Sequence, residues 1–384
     1  MSRRTTLLLI PALLGATTLA NATEARRTAL AKNYLHVDDS DLFLYPGMIG
    51  EWNRYLFVDA NANSGDVDGG VLLGAGPVVG VVFDHPTLWN DIEEMDALYP
   101  AMGSRPVHHV MDLALGFPSG SSGVGILLGW GTGVLDIARE DPADEGTLLS
   151  TGSQANVLDL GVGWSSHAEG GARIDLGFGL TENLFEQSAA GDVTVRASKA
   201  PGVHFAGRFF VPMGGSLDLG IEALLTRRHY GITVLPDAHG SYGRVIASVA
   251  VGPRIRPNER VTIGLFGRLR IESMSGELDN DDPRDPFSSF YLGLPGAGAA
   301  IEVQTTEHLA LRIGGVYQHV YYESGTTGPG PGDDESDSGT GDVVDWGFGA
   351  AYKDGPYALD MSMNGAGGIF TGNQFILAGS YLFQ

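Results

Sequence analysis

The stretch Val261-Thr262-Ile263-Gly264-Leu265-Phe266-Gly267-Arg268-Leu269-Arg270-Ile271-Glu272 decides the fold. Val261, Ile263, Leu265, Leu269 and Ile271 occupy alternate positions, with Thr262, Gly264, Phe266, Arg268, Arg270 and Glu272 between them. Successive side chains of a strand point to opposite faces, so this period of two predicts a strand with one apolar face and one face of glycine and charge. A helical periodicity would not sort the charged residues to every second position as this stretch does.

The pattern recurs along the chain. Ile174, Leu176, Phe178 and Leu180 alternate with Arg173, Asp175, Gly177 and Gly179. Leu309, Leu311, Ile313, Tyr317 and Tyr321 share one face, opposite Arg312, Gly314 and Gln318. Trp346, Phe348, Ala350 and Tyr352 alternate with Asp345, Gly347 and Gly349. Sixteen such segments lie between residues 54 and 383, and a count of fourteen stays open. Short connections such as Val211–Gly215, Arg256–Asn258 and Lys353–Pro356 alternate with long ones at 132–153, 183–201, 229–239, 273–287 and 324–341. That alternation, and strands of ten or so residues, predict an all-β transmembrane antiparallel barrel with short periplasmic turns and longer outer loops.

Composition agrees. Glycine supplies 57 of 384 residues, about twice its usual ~7% share. Each glycine inside a helix would cost ~1 kcal/mol. The formal net charge is −23, from 46 acidic and 23 basic residues, which argues against nucleic acid as a partner. The absence of cysteine excludes disulfides, thiolate metal sites and cysteine nucleophiles. A soluble barrel would carry its polar face outside. Here the second face is glycine, serine, aspartate and arginine, which suits a wet lumen, and the apolar faces end in Trp130, Trp164, Tyr352, Tyr357, Tyr381 and Phe383.

The chain divides into three parts. Residues 1–22 read as a secretory signal peptide: Arg3-Arg4, the apolar run Leu7–Leu14, then Ala20-Asn21-Ala22. Residues 23–51 form a periplasmic N-terminal segment, with Tyr34, Leu35, Leu42, Phe43, Leu44 and Tyr45. They fit either a plug entering the lumen or a lead-in packed on the rim. Residues 52–384 form the barrel. Within it, 85–106 has the spacing of a short helix, at Leu88, Trp89, Ile92, Met95 and Tyr99.

These features resemble the Gram-negative outer-membrane β-barrel proteins, porin-like, with the ending Phe375-x-Leu377-x-Gly379-x-Tyr381-x-Phe383. In that class the last strand normally ends on an aromatic residue that the barrel-assembly machinery reads; here Gln384 follows Phe383. Asp38 to Pro46 is similar to a segment before the first strand of FadL- and PorV-like barrels. The resemblance implies the outer membrane of a Gram-negative bacterium, with outer-membrane lipid, the assembly machinery and small solutes as partners.

Nine residues on the polar faces are candidates to line the lumen. Arg244, Arg254, Arg268, Arg270 and Arg312 form a basic set, and Asp159, Asp175, Asp218 and Glu222 an acidic one. Facing each other across a pore, they would set a transverse field that selects polar solutes. The other reading pairs them in a closed lumen. Asp59, Asn61 and Asn63 echo the start of a calcium loop, although Ser64 stands where its turn glycine belongs. No cofactor is expected. Nor is an enzyme expected: Ser166-His167 lies in a short turn, no Gly-x-Ser-x-Gly elbow occurs, and the adjacent His108-His109 would point to opposite faces. The expected function is a passive channel for small solutes. The alternatives are a FadL-like transporter of hydrophobic compounds and a non-transporting scaffold or secretion partner.

Overall fold

A computed structural model describes residues 26, 29–31, 35–37, 40–61, 67–86, 108–141, 144–168, 170–189, 192–198, 202–234, 238–279, 287–326, 335–366 and 374–382. The signal-peptide region and the helical spacing at 87–106 lie outside them.

One antiparallel sheet accounts for the wall. Its segments are β1 (Tyr55–Asn61), β2 (Val67–Gly74), β3 (Val78–Phe83), β4 (His85–Pro86), β5 (His108–Ser119), β6 (Ser122–Asp141), β7 (Asp144–His167), β8 (Arg173–Ala189), β9 (Asp192–Ser198), β10 (Gly202–Gly214), β11 (Leu217–Val234), β12 (Ala238–Asn258), β13 (Val261–Asp279), β14 (Phe287–Gln304), β15 (Leu309–Thr326), β16 (Glu335–Asp354), β17 (Tyr357–Ala366) and β18 (Gln374–Leu382). β3 and β4 both pair with β5 and count as one stave. β9 and β10 both run between β8 and β11 and form another. The first strand closes on the last, with Tyr55 opposite Leu382. The result is a closed sixteen-stave barrel, a size that leaves space inside for more than the wall's own side chains.

The two ends differ. At one, strands meet in tight turns, where Gly214 and Gly215 take φ of +109° and +61°, a region that a β-carbon disfavours. At the other end much of each long connection is itself paired. Residues 132–141 and 144–153 pair as extensions of β6 and β7, and 324–326 pair with 335–337 as those of β15 and β16. The 24 residues of β7 run about 80 Å at ~3.3 Å per residue, far past a ~25 Å apolar band.

The outward face is apolar and exposed. Leu265, Leu311, Phe178 and Phe348 all point out, as do Trp130, Trp164, Tyr352 and Tyr357. The inward face holds the buried polar groups, including Asp112, Asp175, Arg208, Arg312 and Asp360. This inverts a soluble barrel. Transferring such an outer belt from water to lipid is favourable, and the aromatic rings mark its edges.

Strand parity breaks at one informative point. On β14, Tyr291 and Gly293 face in, and so do Gly296 and Ala300, because the strand gains a residue at Leu294–Pro295. Proline cannot donate to a ladder and is tolerated at such a bulge. The shift turns Glu302 inward.

Candidate functional site

The N-terminal segment lies inside the wall. Its local structure is two short 3-10 turns, Ser40–Phe43 and Pro46–Glu51. Pro46 pre-sets its backbone angle at the start of the second turn. Backbone bonds Tyr45 N–H to Asp41 O (2.7 Å) and Met48 N–H to Tyr45 O (2.9 Å) hold the path compact. Asp41 to Ile49 are all buried.

Inward glycines seat this segment. A side chain at Gly125 of β6 would strike Pro46, one at Gly177 of β8 would strike Leu44, and one at Gly220 of β11 would strike Leu35. Gly314 of β15 lies under Leu30, and Gly349 of β16 under Ala29. The segment therefore touches the wall from β16 round to β5. On one side its contact is apolar: Leu42, Phe43, Ile49 and Trp52 cluster with Tyr55, Phe57, Leu72, Val82 and Leu127 of β1, β2, β3 and β6.

On the other side the contact is charged. Glu51 takes the Arg173 guanidinium at 3.1 Å, and Arg173 also reaches Asp175 at 2.8 Å. Asp175 accepts from Arg208 at 2.9 Å, and Arg208 donates to Asp41 at 2.5 Å. Both ends of this chain of five belong to the inner segment. The Arg208 guanidinium also packs over the Tyr45 ring, 4.7 Å from its centroid. A second chain starts at Arg26, which donates to Glu302 at 2.9 Å; Glu302 also takes Arg312 at 2.6 Å, and Arg312 pairs with Asp360. Every acid in the two chains has a cation beside it, which offsets the several kcal/mol of removing each ion from water. Burial, and then the Arg26 guanidinium, push His36 down to about 3, so its imidazole is neutral. Burial likewise raises the Tyr45 phenol well above its usual value.

The basic residues named from sequence do not face the acidic ones across an open pore. Arg244, Arg254 and Arg312 pair sideways with acids of the neighbouring stave, and Arg270 pairs along its own strand. Arg254 of β12 bonds Asp218 of β11 at 2.8 Å, and Arg312 of β15 bonds Glu302 of β14. Arg244 and Arg270 share Glu272, at 2.9 and 2.7 Å. The cause is register: Asp218 stands directly opposite Arg254, and Glu302 opposite Arg312. Glu222 is buried on β11 opposite Arg208, and Asp159 faces inward on β7 opposite Thr181. Arg268 is half-buried on β13 beside the bulge.

Asp59 is buried in β1, Asn61 ends that strand, and Asn63 lies outside the described residues. Among the described residues no group of three or more His, Asp or Glu could hold a metal ion.

Sequence reasoning missed Arg26, Asp41, Glu51, Arg173, Arg208, Glu302 and Asp360 as parts of these chains. The alternation of His204, Ala206, Arg208 and Phe210 held a readable signal for Arg208.

At the tight-turn end a cavity of about 550 Å³ lies between the inner segment and the turns after β10 and β12.

No protein-family model and no curated protein matches the chain. Among solved structures it is similar to the Pseudomonas putida toluene transporter TodX, at 12% identity and a TM-score of 0.43, covering 93% of this chain and 96% of that one. It is also similar to the monoaromatic hydrocarbon channel CymD, at 9% identity and a TM-score of 0.42, with the same coverage. A third likeness is to the transport unit of the Escherichia coli autotransporter AIDA-I, at 13% identity and a TM-score of 0.37, covering 69% and 91%. At such scores these likenesses carry nothing about a substrate. The closed sixteen-stave wall, apolar outside and polar inside, is that of an outer-membrane β-barrel.

Proposed function

We propose that the protein is a passage for small solutes across the outer membrane, closed at rest by its own N-terminal segment. One observation carries this reading: inward glycines lie under that segment on stave after stave. A barrel filled only for stability would use its own inward side chains. A wall that omits them beneath a separate stretch of chain makes room for an insert that can dock and leave. Charged ties at Arg26, Asp41 and Glu51 hold the insert, and such ties respond to polar solutes and ions. The reading is passage rather than catalysis. Outer-membrane lipid, the barrel-assembly machinery and the solutes are its partners.

The apolar wall under Leu42, Phe43, Ile49 and Trp52 favours a second reading, passage of hydrophobic compounds. Single-channel recording in a planar bilayer tests the first. The full protein is expected to stay mostly closed, and an Asp41→Asn, Glu51→Gln variant to open more often. A constant, porin-sized conductance in both, or none in either, overturns it. Flux of a monosaccharide against an aromatic hydrocarbon into liposomes separates the two readings.

A further inference from the structure

The cavity at the tight-turn end is lined on one side by the inner segment, through Arg26, His36 and Val37, and for the rest by the wall and its turns, Arg254, Arg256 and Arg260 among them. Its 550 Å³ falls within the ~300–1,000 Å³ usual for small-molecule sites. Its hydrogen-bonding capacity is unbalanced. Glu302, on its rim, already accepts three donors: one oxygen takes Arg26 Nη2, and the other takes Arg26 Nε and Arg312 Nε. Asp218, beside it, takes both Arg254 and Arg256.

Donors remain. Arg256 engages Asp218 through Nη2 alone, and its side chain is 51% exposed. Arg260 makes no side-chain hydrogen bond or ion pair among the described residues; Glu259, an exposed carboxylate of the same turn, is its neighbour in sequence. Arg254 is held between Asp218 and the Phe210 ring, its Cζ 3.9 Å from the ring centroid. A second, independent feature points the same way. His36 is 95% buried and lines the cavity, and its Nε2 has no hydrogen-bond partner among the described residues. A buried polar atom without a partner is unfavourable, and a neutral imidazole can donate from that nitrogen to an oxygen.

The geometry points to a binding site for a small organic acid, held by its carboxylates against Arg256 and Arg260 with a hydrogen bond from His36. Guanidinium forks match carboxylate oxygens in pairs. A ligand there touches the inner segment and the wall at once. By linkage it binds only when the segment is docked, and so favours the docked state.

The test is calorimetric titration of the full protein in detergent, independent of any conductance. The probes are succinate, citrate and glycerol 3-phosphate, the last presenting the headgroup chemistry of an anionic lipid. Succinate or citrate should bind with Kd below about 1 mM. Arg256→Gln, Arg260→Gln should weaken this at least tenfold, while Arg227→Gln, an exposed charge on β11, should leave it unchanged. Arg256 and Arg260 are exposed, so that double variant should keep the wild-type melting point. His36→Leu should weaken binding too. Three outcomes overturn the site: no binding of either acid, equal binding by the double variant, or binding of glycerol 3-phosphate alone, which would assign it to lipid headgroups.

Discussion

Arg208 of β10 is fully buried between Asp41 of the inner segment and Asp175 of β8, bonding both. One guanidinium thus joins two neighbouring staves and the chain that fills the space they enclose. It has no exposure to water and two carboxylates to share its charge. The arrangement makes docking of the segment and integrity of the wall parts of one electrostatic unit.

Asp41→Asn should loosen the segment without unfolding the barrel. Arg208 would keep Asp175, so the loss is one charged hydrogen bond, about 1.5–3 kcal/mol. Limited proteolysis should then cut between residues 26 and 52 faster than in the wild type, while the heat-modifiable gel shift of the barrel is retained. Arg208→Met should be more damaging, because Asp41 and Asp175 would both lose a partner, at ~3–5 kcal/mol.

Gly177→Val should expel the segment by collision, since a β-carbon there meets Leu44. Gly379→Val makes the same chemical change where nothing lies within 4 Å. Protease susceptibility of the segment should rise in the first variant only. Equal behaviour would show that the glycines are not seats.

Arg312→Gln and Arg268→Gln should differ. Arg312 is buried and paired with Glu302 and Asp360, so its loss should cost ~3–5 kcal/mol. Arg268 has no ion pair or side-chain hydrogen bond among the described residues and is half-buried, so its loss should stay within ~0.5 kcal/mol. Thermal unfolding in detergent measures both.

Leu311→Arg places a charge in the lipid-facing belt and should cost ~2–4 kcal/mol, read as reduced assembly in urea titrations from liposomes. Leu311 is 47% exposed in the isolated chain. A fully soluble variant of unchanged stability would show that this face is not in lipid.

Acid should weaken docking through His36. Its docked value of about 3 lies below the ordinary 6.5. Between those values the released imidazole binds a proton that the docked one refuses, so docking is complete above pH 6.5 and weakens as pH falls toward 3. The limiting slope is ~1.4 kcal/mol per pH unit. Proteolysis rates of wild type and His36→Gln, compared across pH 7 to 4, isolate this residue from the carboxylates that titrate in both. Parallel profiles would remove His36 as the cause.

Much of the wall was legible because alternation is local. Each of the sixteen segments read from residues 54 to 383 corresponds to a stave, although β6, β7, β8 and β16 run further than their apolar faces. The extensions lie beyond the lipid belt, where pairing continues without an apolar face to announce it. Leu265, Leu311, Phe178 and Phe348 were assignable to one face from period two alone.

The partners of the inward charges were not legible in the same way. Asp218 and Arg254 are 36 residues apart, and register alone sets them opposite each other. Glu302 shows the limit most clearly. Counted from Tyr291 its parity is outward, and only the extra residue at Leu294–Pro295 turns it in to meet Arg26 and Arg312.

The sequence alone thus determined which face of each strand is apolar, that the strands number about sixteen, and that the inner face holds glycine and charge, because each of these is a property of neighbours in the chain. Tertiary structure alone decided that the glycines are seats, that Arg173, Arg208 and Glu302 grip the N-terminal segment, and that Arg254 and Arg312 pair with acids of the neighbouring stave. Those outcomes depend on barrel closure, strand register and one bulge, which bring together residues such as Arg26 and Glu302, 276 positions apart, through space rather than along the chain.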